Sequence, residues 1–253
     1  MSLGRRKVAL ADQTRWVFNR MADVYPARPP YPTALIDALA DLVRPGARVG
    51  DLGAGIGHVA LPLAARGFAV EAIEPAASML GELRVQAARR RLAVRAHHAT
   101  AEALPVATAA LELVVVADAL HFLDAELTAR EIDRVLAPGG ALAVITCGFA
   151  ETPYMRGVVR AMNDAVPRRP RALGGHLVHV SAITGVAFTE KHRFVDETPV
   201  DPPTLERILR SISFIGPAMN AARFAAFRDQ LQALPGPPLW GRTFVLHTGR
   251  RRN

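Results

Sequence analysis

The sequence predicts an α/β fold: a seven-stranded, mostly parallel sheet with helices on both faces and an N-terminal helical lid. Three observations predict it. Short β-branched runs alternate with longer stretches whose apolar residues recur at three- and four-residue spacing. A glycine-rich turn, "VGDLGAGIG" at residues 49–57, joins the first such run to the first helical stretch of the alternation. Half of the 253 residues are apolar, enough to fill a substantial core in one domain of ordinary size.

Taken in order, residues 16–43 read as two helices broken at "YPARPPYP", whose four prolines stop a helix, with Thr33 capping the second. The strands of the alternation are "ARVGDL", "FAVEAIE", "AVRAHHA", "LELVVVAD" and "ALAVITC". Between them "HVALPLAARG", "AASMLGELRVQAARR" and "ELTAREIDRVLAPGG" read as helices, the last stopped by Pro138, Gly139 and Gly140 before a tight entry into the fifth strand. Residues 151–185 read as helix and loop, "AFTEKHRFVDETPV" as a strand, residues 201–234 as two helices and "RTFVLHTG" as the last strand. Asp201 before Pro202 has the form of a helix cap with proline in the first turn. The expected division is a helical lid at residues 1–44 and a core at 45–253, with helical insertions at 151–185 and 201–234.

Net charge is +8, and nearly all positive charge is arginine, since Lys7 and Lys191 are the only lysines. The arginines are scattered, with clusters only at residues 89–91, 168–171 and 250–252, so a solvated surface rather than a nucleic-acid patch is expected. The basic N-terminus, "MSLGRRKVALADQTRW", is not followed by an apolar signal segment, and no stretch reaches the roughly 20 apolar residues of a membrane span. The expectation is a soluble, cytoplasmic protein without membrane insertion, with a homodimer left open. One cysteine, Cys147, excludes an internal disulfide and a multi-cysteine metal site, and reads as a small buried strand residue. His97 and His98 are adjacent on a strand and point to opposite faces, and His176 and His179 have no further ligand at metal-site spacing, so no metal is expected.

The glycine turn carries the chemistry. Gly53, Gly55 and Gly57 let a ligand approach backbone N–H groups at the carboxyl end of a strand. A dinucleotide fingerprint would place glycine at position 58, where His58 stands. The next strand ends in Glu74, about twenty residues on, where a carboxylate can accept both hydroxyls of a ribose.

With these residues the chain resembles the class I S-adenosylmethionine-dependent methyltransferases, Rossmann-like enzymes, especially the small-molecule branch that includes ubiquinone/menaquinone and trans-aconitate methyltransferases. The resemblance runs in order through "VFNRMADVYPARPPYP", "VGDLGAGIG", "IEPAASML", "ATAEALPV", "VVVADALHFLD" and "RVLAPGGALAV". It implies that S-adenosylmethionine binds and S-adenosylhomocysteine leaves. It implies further that Asp51, Gly53, Ala54 and Gly55 surround the methionine part, that Glu74, followed by Pro75, holds the ribose, and that Ala101 and Glu102 lie by the adenine. The backbone at Asp118 and Ala119 would lie near the cofactor's amino group. Many relatives carry an acid where this chain has Thr100.

An oxygen or nitrogen acceptor that must lose a proton needs a base near the fourth strand, and His121 in "DALHF" is the candidate. A role in orienting the cofactor is its alternative. Tyr25, Arg28 and Tyr31 form a second group in the proline-broken lid, with Arg28 suited to a carboxylate of cofactor or acceptor. The expected function is methylation of an oxygen or nitrogen of a small organic acceptor in secondary metabolism. Two alternatives stand beside it: an S-adenosylmethionine-binding protein with a different reaction, and an RNA methyltransferase.

Overall fold

A computed structural model describes residues 17–167 and 174–251. Trp16, the basic N-terminus, the arginine cluster at 168–171 and Arg252 lie outside the described residues. The strands are β1 (Arg48–Leu52), β2 (Ala69–Ile73), β3 (Val94–His97), β4 (Leu111–Ala117), β5 (Leu136–Phe149), β6 (Ala187–Pro199) and β7 (Leu239–Arg250). They form one seven-stranded sheet in the order β3-β2-β1-β4-β5-β7-β6. The first five run parallel, and β7 is antiparallel to both β5 and β6. The helices are α1 (Thr33–Ala40), α2 (Ala60–Ala65), α3 (Ala77–Arg89), α4 (Ala125–Val135), α5 (Pro153–Ala165), α6 (Gly174–Thr184), α7 (Pro202–Arg210) and α8 (Ala221–Gln232).

The central strands are apolar on both faces because both faces are covered. In β4, Leu113 and Val115 point into one core with Val49, Val70, Leu35, Leu39 and Leu63, which brings α1 and α2 onto that face. Val114 and Val116 point into the opposite core with Ile73, Ala129, Ile132 and Val180, which brings α4 and α6 onto the other. A third core is separate from the sheet faces. Met155, Val158, Leu205, Ile208, Phe224, Phe227 and Trp240 join α5, α7 and α8 to the start of β7.

Two local expectations are corrected. Thr33 is the first residue of α1, and the cap position is Pro32, whose carbonyl accepts from the amides of Leu35 and Ile36 and so starts the helix one residue earlier. β5 begins at Leu136, before Pro138, because buried Leu136 already pairs with Leu111 of β4. The proline and glycines instead occupy a register shift before Ala141 pairs with Leu113, with Gly139 at φ +68°. Asp201 does cap α7, its carboxylate accepting from the Thr204 amide. His97 and His98 diverge as expected: the first meets Glu71 at 2.6 Å and the second the Pro75 carbonyl at 3.0 Å.

The β1–α2 turn needs its glycines. Gly53, Gly55 and Gly57 have φ of +74°, +56° and +94°. A Cβ on Gly57 would come 2.7 Å from Leu61 Cγ. Gly57→Ala therefore forces both a left-handed side chain and a clash, and its expected cost is about 1–3 kcal/mol of unfolding free energy. Urea denaturation checks this, and an unchanged midpoint would contradict the geometry.

Candidate functional site

The carboxyl ends of β1, β2, β4 and β5 open into one cavity of about 460 Å³. Gly53, Gly55, Glu74 and Pro75 line it from the first two strand ends, and Thr100, Ala101 and Glu102 from the segment after β3. Asp118, Ala119 and His121 line it from the end of β4. Tyr25, Arg28 and Tyr31 close it from a strap ahead of α1, and Ile212, Ser213, Phe214 and Trp240 from the third core.

Glu74 organises the glycine side. Its carboxylate accepts from the Gly55 amide at 2.8 Å and from the Ala76 amide at 2.7 Å. Burial raises its pKa, while these two backbone donors and His98 hold it down. Each carboxylate oxygen keeps a lone pair for a further donor. Glu102 is spent in part on the Asp124 amide, at 3.0 Å, where α4 begins. Asp118 has φ +49°, a left-handed conformation that aspartate tolerates better than most side chains, and its amide donates to Ile145 of β5.

Asp51 and Ala54 are buried and do not line the cavity. The Asp51 carboxylate instead accepts from the Ala60 amide at the start of α2, at 3.1 Å. Burial pushes its pKa up to about 7. It supports the loop from behind. His121 sits in the 3₁₀ turn Leu120–Phe122, its ring centroid 4.0 Å from that of Phe122, which meets Phe18 edge-on at 5.3 Å.

The strap side brings Tyr25, Arg28 and Tyr31 together. Arg28 donates from Nε to Ser211 Oγ at 2.8 Å, from Nη2 to the Ser211 carbonyl at 2.7 Å and from Nη1 to Tyr25 Oη at 3.2 Å. Its guanidinium also lies 4.3 Å from the centroid of the Tyr25 ring. Burial raises the pKa of both tyrosines, so both phenols are neutral near pH 7.

Several lining residues were missed in the sequence. His58, read only as a departure from a dinucleotide loop, lies between Tyr25 and Tyr31 at ring distances of 5.9 and 6.2 Å. Burial, with the charges of Arg28 and Arg242, pushes its pKa down to about 4. Arg242 and Phe244 came from a strand read only as a strand, and no local signal marked them. Cys147, expected to be buried, is half-buried in the cavity wall, and burial with the charge of Asp118 pushes its thiol up to about 12.

The seven-stranded, mostly parallel sheet with helices on both faces is the Rossmann-like methyltransferase fold. Residues 50–144 match the family model described as a methyltransferase domain. An uncharacterized methyltransferase of Mycobacterium tuberculosis is 36% identical over 146 residues, covering 57% of this chain and 55% of that one. A malonyl-[acyl-carrier protein] O-methyltransferase of Enterobacter lignolyticus is 34% identical over 141 residues, covering 55% and 54%. The chain thus spans about half the length of the curated relatives it matches. Among solved structures, the YcgJ protein of Bacillus subtilis superposes with a TM-score of 0.59 at 21% identity, over 87% of this chain and 97% of that one. A geranyl diphosphate C-methyltransferase of Streptomyces coelicolor, in complex with S-adenosyl-L-homocysteine, gives 0.55 at 18% identity, over 87% and 79%. Among the described residues no group of three potential ligands could hold a metal, and no helix is long and apolar enough to cross a membrane.

The two shifted groups of the turn have opposite linkage to pH. Between about pH 4 and 6.5 the folded chain holds a proton on Asp51 and none on His58, and the unfolded chain the reverse. Their contributions to the slope of stability cancel. His58→Gln leaves Asp51 alone, so relative to the parent its stability should fall as pH rises through this window, by about 1.4 kcal/mol per unit. Asp51→Asn should do the opposite, gaining relative stability as pH rises. Chemical denaturation of the ligand-free chains at pH 4.5, 5.5 and 6.5 measures both slopes, and parallel profiles for all three would refute the assignment.

Proposed function

We propose that the protein is an S-adenosylmethionine-dependent methyltransferase acting on an oxygen or nitrogen of a small organic acceptor in secondary metabolism. The observation that carries this reading is one cavity with two unlike walls. One wall is glycine backbone and carboxylate, and the other is aromatic with an imidazole and a guanidinium. The residues fit the cofactor: a Cβ on Gly53 would lie 2.7 Å from that of Ala119, so only glycine keeps that floor open, and Glu74 faces the same space.

In this reading Gly53 and Gly55 present backbone to the methionine part, Glu74 with Pro75 takes the ribose, and Thr100, Ala101 and Glu102 border the adenine. Asp118 and Ala119 lie at the amino group. When bound, the cofactor supplies a methyl group on a positively charged sulfur, transferred by in-line displacement. The chain's own task is then alignment and exclusion of water. Tyr25, Tyr31, Phe149, Phe214 and Trp240 supply a dry wall for the acceptor. His121 takes the acceptor's proton where it must lose one. Arg28, already fixed by Ser211, has donors left for an anionic group on the acceptor or the cofactor. Residues 1–44 act as the lid over a core of residues 45–253, with the insertions at 151–185 and 201–234 closing the acceptor side.

Calorimetry tests the cofactor assignment. S-adenosylhomocysteine should bind and NAD should not, and Glu74→Ala should weaken binding by about 1.5–3 kcal/mol, the scale of hydrogen bonds to a charged group. NAD binding of equal strength would overturn it. A bound cofactor whose methyl is never consumed, with acceptors recovered by mass spectrometry from the purified protein, would point to a different reaction.

Kinetics with a recovered acceptor test the base. His121→Ala should lower kcat by about 10²–10⁴-fold with cofactor affinity nearly intact. Tyr25→Phe and Arg28→Ala should mainly raise the acceptor's KM. Loss of cofactor affinity in His121→Ala ahead of any loss in kcat would make His121 a cofactor support instead.

A further inference from the structure

Arg242 stands directly opposite Asp196 in the β6–β7 ladder, and its buried guanidinium is divided between two tasks. Nε donates to Asp196 Oδ1 at 3.1 Å, and Nη2 donates to Oδ2 of the same carboxylate. Nη1 donates to the Pro29 carbonyl at 2.8 Å, and Nη2 also donates to the Pro30 carbonyl at 2.6 Å. Two consecutive strap carbonyls are therefore held by one side chain more than two hundred residues away in sequence. Prolines at 29 and 30 offer no N–H groups, so the backbone of this part of the strap can be hydrogen-bonded only through its carbonyls.

The tie reaches the cavity from both ends of the held dipeptide. On one side Arg28 is fixed to Ser211 beyond α7. On the other, Tyr31 packs at 5.1 Å on Phe244, a ring that Arg242 itself approaches at 4.9 Å. Asp196 does not line the cavity. It acts through Arg242, since a bidentate carboxylate fixes the plane of the guanidinium and with it the direction of the donors left for the strap.

We propose that Asp196 and Arg242 are positioning residues that pin the strap of residues 25–31 to the outer β6–β7 strand pair and thereby set the acceptor wall of the cavity. Assigning that wall to the acceptor rests on the proposed methyltransferase reading; the pinning itself does not. Arg242 is thus a specificity element, because the placement of Tyr25, Arg28 and Tyr31 depends on it.

The chain contains its own reporter. Cys147 is the only cysteine in the sequence and lines the same cavity as the strap residues, so its rate of alkylation, corrected for the thiol ionisation measured in each variant because the charges of Asp196 and Arg242 also act on it, reads how open that cavity is. The experiment uses the full chain and N-ethylmaleimide and requires neither methyl transfer nor a known acceptor, so its failure is distinct from failure of the functional reading. Asp196→Asn and Arg242→Lys should each raise the alkylation rate by about tenfold or more, as expected when the open population grows. Asp196→Glu, which restores the carboxylate, should return most of that protection. Affinity for S-adenosylhomocysteine in Asp196→Asn should stay within about twofold of the parent, which general loosening of the fold would not allow. With an acceptor in hand, Asp196→Asn should raise its KM more than it lowers kcat. Alkylation at the parental rate in both variants would overturn the proposal, as would a rate that rises only in step with lost cofactor affinity.

Discussion

The arrangement depends on one carboxylate. Glu74 stands at the end of β2 and accepts an amide from the β1 turn and another from the start of α3. It therefore joins two strand ends and a helix start at one point, on the floor of the cavity. The glycines of the turn are necessary for this, because only a left-handed backbone brings the Gly55 amide back toward β2. Asp51 completes the support from the other side, buried behind the turn and bonded to the first amide of α2. One acid faces the cavity and one faces the core, and the turn is held between them.

The electrostatic character of the cavity follows from burial. Tyr25 and Tyr31 are kept neutral, His58 is kept unprotonated and the Cys147 thiol is kept from ionising. Arg242 is neutralised by Asp196, whereas Arg28 spends its bonds on a serine and a tyrosine. The strap side thus carries a positive group held by neutral partners. Such a setting favours a partner that brings negative charge.

One wall of the cavity was legible in the sequence because it is built from contiguous segments. The glycine turn and Glu74 with Pro75 each come from one strand end and the loop after it, so spacing marks them, and the family resemblance marked the pairs Ala101 with Glu102 and Asp118 with Ala119, which line the same cavity. All seven strands were readable for the same reason, as period and turn residues are local. The opposite wall is assembled from distant segments. Tyr31, His58 and Phe244 meet only through the sheet order, and nothing near Arg242 in the chain announces that it reaches Pro29 and Pro30. Asp51 shows the limit in the other direction. Its place in the motif suggested ligand contact, and its side chain in fact turns inward to cap a helix.

The composition of the strap has a consequence of a different kind. Its bulky and basic residues, Tyr25, Arg28 and Tyr31, are each followed directly by proline. Digestive-type proteases that recognise an aromatic or basic side chain cut the peptide bond on its carboxyl side, and a proline ring there obstructs the cut. In this chain the strap residues that line the cavity are the ones such a protease would seek, and each is shielded by its own successor.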